Sequence, residues 1–207
     1  MEERTIGLRE RKKSNRRQEI LVAARELFAQ AGYAATTVDA IAERVGIFGV
    51  TVYNYFGTKS GVLLALVMES EERLLEEIGR RLDAAPDDTV EIVMDFSRTM
   101  RRNAGDHLDR ALWRQVFAAS LVDVDSSFGN AYRALNQRLA AVLGKRLERV
   151  RRAGALPADV DACMLGAAFF NVQIVTFARF VSDDSIEEAT IETELRQLVL
   201  ALTKARG

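Results

Sequence analysis

The chain has 207 residues, 48% of them hydrophobic and 29% charged, with a net charge of −1. This suits a soluble globular protein of one large domain or two small ones, and the net charge alone points to no nucleic-acid partner. A single cysteine, Cys163, excludes an intramolecular disulfide and makes the cytoplasm the expected location.

Only two prolines occur, while Ala, Leu, Arg and Glu are abundant, and no runs of alternating β-branched and polar residues appear. An all-α fold without a sheet is therefore expected. No apolar stretch approaches the ~18 uninterrupted residues of a membrane span; the nearest, Cys163 to Val181, is broken by Asn171, Gln173, Thr176 and Arg179. The charged N-terminus lacks the apolar core of a signal peptide.

Charge distribution is more informative than its sum. Seven basic residues (Arg4, Arg9, Arg11, Lys12, Lys13, Arg16, Arg17) and three acidic ones precede residue 18. Such a basic arm before a slightly acidic body fits either an anionic polymer partner or a solvated terminus.

The first periodic segment runs from about Arg16 to Ala31, with Ile20, Leu21, Ala24, Leu27 and Phe28 on one stripe and Gly32 as its stop. Thr36 or Thr37 can cap a short helix carrying Val38, Ile41, Ala42 and Val45, and Asp39 favours its start. Gly46 ends it. After a short turn, a second short helix spans about Gly49 to Tyr55. Two short helices joined by a glycine-led turn and packed on a longer one predict a helix-turn-helix. Val52 and Phe56 share its buried side, leaving Thr51, Tyr53, Asn54 and Tyr55 around the remainder. Phenols there can donate to phosphates and Lys59 can supply charge.

The stretch TTVDAIAERVGIFGVTVYNYFGTKSGVLLAL resembles the DNA-binding region of TetR-type transcriptional regulators. The resemblance covers about residues 15 to 66 and is carried by Thr37, Val38, Ile41, Ala42, Gly46, Ile47, Thr51, Tyr53, Tyr55, Phe56, Lys59 and Leu63. It implies a basic arm and DNA-binding domain over residues 1–58, then a helical ligand-binding and dimerisation domain over 59–207. Expected DNA-binding residues are Arg16, Arg17, Thr37, Val38, Phe48, Gly49, Val50, Thr51, Tyr53, Asn54, Tyr55 and Lys59. Two departures stand out. The family commonly has a small residue, often Ser, at the position of Phe48, and Lys or Arg with Gly at the positions of Gly49 and Val50. A helix cap and a basic DNA contact are thereby lost. Phe48 and Val50 can instead touch thymine methyl groups, or Phe48 can pack within the turn.

Beyond Lys59 a long connecting helix is expected to about Leu82. Pro86 interrupts, and Asp87 or Asp88 starts a helix bearing Val90, Val93, Phe96 and Met100. Another begins near Asp106, placing His107 in its first turn, and carries Leu112, Trp113, Val116 and Phe117. A longer one spans about Ser126 to Arg152, with Phe128, Tyr132, Leu135, Leu139 and Val142. The helix from about Ala158 to Val181 is apolar nearly all round, so it must be buried on several sides. Ser185 and Glu188 form a capping box for the last helix.

Phe96, Met100, Trp113, Phe117, Tyr132, Asn136, Met164, Ala168, Asn171 and Val175 are the candidates for an apolar effector pocket, against ordinary core as the alternative. Asn171 and Gln173 lie about 160° apart on a helix, so only Asn171 joins the pocket side. Phe170, Ile174 and Phe177, with Ile191, Leu195, Leu198 and Leu202, are assigned to a homodimer interface, against a buried central helix in a monomer as the alternative. The resemblance implies a four-helix bundle there and a small hydrophobic effector that tilts the connecting helix. An enzyme is not expected: His107 stands alone, Cys163 reads as a small core residue, and neither metal-site spacing nor a phosphate loop occurs. Accordingly no cofactor, metal or membrane partner is expected, and the partners are double-stranded DNA, a small molecule and a second copy.

Overall fold

The computed structural model describes residues 2–122 and 127–204, with side chains for 10–122 and 129–203. Among the described residues the fold is all-α. Residues 1–69 and 70–207 form two compact units.

In the first unit, α1 spans Glu2–Ala35, so the basic arm is helical and continues the helix expected from Arg16. Gly32, at φ 78°, breaks the helical path inside it, a left-handed conformation that a side chain disfavours. Thr37 then caps α2 (Val38–Arg44), accepting from the Ala40 amide at 3.0 Å. Its neighbour Thr36 turns inward and donates to the carbonyls of Leu27 and Gly32. Gly46 (φ 68°) makes the turn into α3 (Gly49–Phe56), and α4 (Lys59–Met68) follows. Ile20, Leu21, Ala24, Phe28, Ile41, Val52, Val62, Leu63 and Leu66 are buried and supply its core.

The connecting helix expected from 59 to 82 is two helices. α4 ends at Met68, and α5 occupies Glu71–Ala84. Seven consecutive residues of α4, Gly61 to Val67, are buried, so this helix is core of the first unit rather than the start of the second. Glu69 is held there by Arg25 at 2.5 Å and Gln18 at 2.8 Å.

The second unit holds α5, α6 (Thr89–His107), α7 (Arg110–Val122), α8 (Ser127–Arg152), α9 (Ala162–Ser182) and α10 (Glu188–Lys204). Asp88 caps α6 through the Glu91 amide. His107 lies in the last turn of α6, not the first turn of α7, with Nδ1 2.8 Å from the Asn103 carbonyl. Ser126, the expected start of α8, and the Phe128 side chain lie outside the described residues. The expected Ser185–Glu188 box does not form: Ser185 donates through both its amide and its hydroxyl to Asp183, and α10 begins three residues later.

α8 and α9 pack together extensively. Their contact is set by two glycines: a Cβ on Gly166 would stand 2.6 Å from Gly144 Cα and N. Although α9, at 21 residues and a mean hydropathy of 1.5, is long and apolar enough to cross a membrane, it lies in this unit with Phe169, Phe170, Gln173, Phe177 and Val181 buried.

Candidate nucleic-acid interface

The candidate recognition surface is built by α1 and α3. Val52 is 1% exposed and fixes the inner side of α3, so its other residues are set by the ~100° step of the helix. Phe48, at the N-cap, is 82% exposed. It does not pack within the turn, and no side-chain hydrogen bond caps the helix. Val50, Tyr53 and Asn54 are also exposed. Three exposed apolar or phenolic side chains beside one carboxamide form an unusual reading surface: methyl contacts and hydroxyl donors, with no guanidinium.

A groove runs between α3 and α1, lined by Glu10, Lys12, Lys13, Asn15, Arg16, Arg17 and Glu19 on one side and Thr51, Asn54 and Tyr55 on the other. Arg17 lies over the Phe56 ring at 5.5 Å and Arg16 pairs with Glu19 at 2.8 Å. With Lys12, Lys13, Arg16 and Arg17 against Glu10 and Glu19, this side of the groove is cationic on balance, which suits a polyanion's backbone rather than its bases.

Four of the expected DNA residues have structural work of their own. Val38 is buried in the head's core. Thr37 accepts a helix-capping hydrogen bond. Gly49 leaves room for the Asp39 carboxylate, whose Oδ1, a side-chain end able to turn aside, would stand 2.1 Å from a Cβ there. Lys59 is tied inward: its Nζ donates to the carbonyls of Tyr33 (2.8 Å), Thr36 (2.9 Å) and Ala34 (3.3 Å), and stands 4.4 Å from the Tyr33 ring centroid. A lysine has three N–H donors, and three carbonyls take them.

In the second unit the two faces of α9 are exchanged relative to expectation. Met164 and Val175 are 68% and 67% exposed, and Ala168 and Asn171 are exposed with them. These four residues line no interior. Phe170 and Phe177, assigned to a partner subunit, are instead buried within their own chain, as are Ile191 and Leu195; Ile174 is half-buried, while Leu198 and Leu202 are exposed. The physical reason is size. The aromatic side of the helix fills the intrachain core, where Phe170 meets Phe96 edge-on at 6.2 Å and Phe177 meets Trp113 at 5.3 Å. The smaller side faces outward. Cys163 is exposed as well, not core.

Among the remaining pocket candidates, Phe96 is fully buried and Met100 and Phe117 are partly so. Tyr132 is buried, and that burial pushes its phenol up to about 12, against the opposing hydrogen bond to Asn136. Only Trp113 of the ten lines a cleft of about 700 Å³ opened by α6, α7, α9 and α10.

The head is thus a DNA-reading module of the helix-turn-helix class attached to a separate helical body. Residues 20–66 match the model of bacterial regulatory proteins of the tetR family. The chain is 30% identical over 154 residues to the HTH-type transcriptional repressor AcnR of Corynebacterium diphtheriae, covering 73% of this chain and 74% of that one. It is 21% identical over 185 residues to the HTH-type transcriptional regulator UidR of Escherichia coli, covering 88% and 90%. Among solved structures, a TetR-family repressor FadR of Thermus thermophilus, in complex with lauroyl-CoA, has the same fold, with a TM-score of 0.67 at 22% identity over 90% of this chain and 92% of that one. The protein belongs to the TetR family and is a DNA-binding transcriptional regulator.

Proposed function

We propose that this protein is a homodimeric repressor that reads a palindromic operator containing thymine contacts and leaves it when a small, largely apolar effector occupies the second unit. The observation that carries the reading is the outward face of α3, with Phe48, Val50 and Tyr53 exposed beside the basic groove of α1. Apolar side chains in a major groove find one apolar partner, the thymine 5-methyl group. Lys12, Lys13, Arg16 and Arg17 take the phosphates, and Thr51, Asn54 and Tyr55 supply polar contacts at the groove edge.

One helix of eight residues reads only a few base pairs, so useful specificity needs two, held about 34–36 Å or a multiple apart. The surface proposed to hold them is the exposed side of α9, Met164, Ala168, Asn171 and Val175, continued by Leu198 and Leu202 of α10. The Arg179–Glu194 ion pair joins the two helices; one turn on from it lie Val175 and Leu198, and one turn further Asn171 and Leu202. An effector that favours a conformation with the wrong spacing weakens DNA binding, and DNA weakens effector binding by the same factor.

Selection of bound duplexes from a random pool tests this. The expected product is a pair of inverted half-sites rich in T at the positions facing α3, with affinity falling when uracil, which lacks the methyl group, replaces those thymines. Enrichment of no duplex over a scrambled competitor would overturn the reading.

A further inference from the structure

Among the described residues two arginines are buried in the second unit, and they differ in one respect. Arg146 has its donors occupied: Nε to the Leu82 carbonyl at 2.6 Å, Nη2 to the Ala85 and Pro86 carbonyls, and Nη1 to Asp87 at 2.8 Å. It closes the C-terminal end of α5. Arg101, with its side chain 2% exposed, does not reach this state. Its Nη1 donates to Ser97 Oγ at 2.5 Å, and Ser97 donates to Gln173 Oε1 at 2.5 Å. At the two ends of this chain, Arg101 Nη2 and Gln173 Nε2 are buried without a hydrogen-bond partner.

The surrounding acids do not make up the deficit. Glu188 reaches Arg101 Nε at 3.3 Å and is largely exposed; Glu192 stands 3.6 Å from Nη2 and is held at 2.5 Å by Arg98. Asp109 accepts the Leu112 amide at the start of α7, and Asp106 lines the same cleft without an ion pair to Arg101 among the described residues. A buried charge with an unmatched donor is costly, and both unmatched groups are donors. What the two ends of this chain lack is an oxygen acceptor within hydrogen-bond distance.

Arg101 lines the cleft between α6, α7, α9 and α10, whose volume of about 700 Å³ is within the range of small-molecule sites. The opposite side of that cleft is aromatic: Trp113, Phe177 and Phe180 pack together, and the Arg110 guanidinium lies 3.8 Å above the Phe180 ring. Trp113 Nε1 is already bonded to the Ala104 carbonyl at 3.0 Å, so the indole offers a face rather than a donor.

We propose that this cleft binds an aryl-alkyl carboxylate, its anionic oxygens on Arg101 with the Ser97–Gln173 chain behind it, and its apolar body against Trp113, Phe177 and Phe180. This deepens the effector reading given above and rests on it only for the consequence at the operator. The site itself is tested without DNA.

Trp113 is the only tryptophan in the chain, so its fluorescence reports occupancy of this cleft. The full-length protein is titrated with 3-phenylpropanoate and 4-phenylbutanoate and with their uncharged amides. Saturable change with both acids, at least ~10-fold tighter than with the amides, is expected for a charge-assisted contact. Arg101→Met is expected to abolish that preference, and Gln173→Leu, which keeps the side-chain volume, to reduce it; a melting curve shows whether each variant folds. Equal affinity for acids and amides, no response to either acid, or a folded Arg101→Met that keeps the preference would overturn the proposal. A carboxylate that binds in this way yet leaves operator affinity unmoved supports the site and counts against the effector-controlled repressor.

Discussion

Lys59, expected at the DNA, has its ammonium held by carbonyls of its own chain. By sequence it follows the recognition helix and carries charge, which suggests a phosphate contact. The structure gives its ammonium three carbonyls left open where α1 ends, together with the Tyr33 ring. Carbonyls at a helix end lack intrahelical donors, and a cation there also suits the macrodipole. Lys59→Met should therefore act on the head's stability, by about 2 kcal/mol for the lost charge-assisted bonds, seen as a lower denaturation midpoint. The slope of log affinity against log salt should stay as in the parent, whereas Lys13→Ala should flatten it by roughly one phosphate. A flattened slope for Lys59→Met would return this lysine to the DNA.

Between elements, the decisive contacts involve the smallest side chains. Periodicity located α9 and its N-terminal neighbour α8, but not their approach, because a glycine adds nothing to an apolar stripe. Gly166 sits so near the Gly144 backbone that a methyl group would stand 2.6 Å from it, and backbone atoms cannot turn aside as a side-chain end can. Gly166→Ala should force the helices apart and cost on the order of 1–3 kcal/mol, the usual range for overpacking. Gly79, on α5, has open space where its Cβ would be; Gly79→Ala should raise stability by roughly 0.4–1 kcal/mol through the unfolded chain. Opposite shifts in the two melting temperatures check the pair.

The same limits explain what could be read from sequence at this scale. The head was legible because its stripes, cap and glycine stops are local: Thr37, Gly32 and Gly46 each act within a few residues of themselves. The break at Glu69–Ser70 was not, since neither residue is a helix breaker and what holds Glu69 is Arg25, 44 positions away. Nor was the phase of α9. A helix apolar on every side offers no internal sign of which face meets its own chain, and only the partners Phe96 and Trp113 decide it. Arg101 was hidden for a related reason: its spacing on α6 gives no sign that α10 and Gln173 close over it.

For the whole molecule, that choice of phase decides which face is left for the proposed dimer. Met164, Ala168, Val175, Leu198 and Leu202 are exposed apolar residues on two helices that pack together, the kind of grouping that marks an interaction surface. A two-fold interface uses the same patch on both copies, so the proposed one would pair α9 and α10 with their own counterparts. Val175→Glu combined with Leu198→Glu places like charges from both copies against one another across the proposed interface. It leaves Phe177, Ile191 and Leu195, the inner side of the same helices, untouched. Sedimentation should then give a monomer with an unchanged helical spectrum. Affinity for a two-half-site operator should fall ~10²–10⁴-fold, the gain that linking two binding events supplies, while affinity for an isolated half-site stays the same. If the double variant remains a dimer, the interface lies elsewhere on the body, and the exposed strip on α9 and α10 needs a different partner.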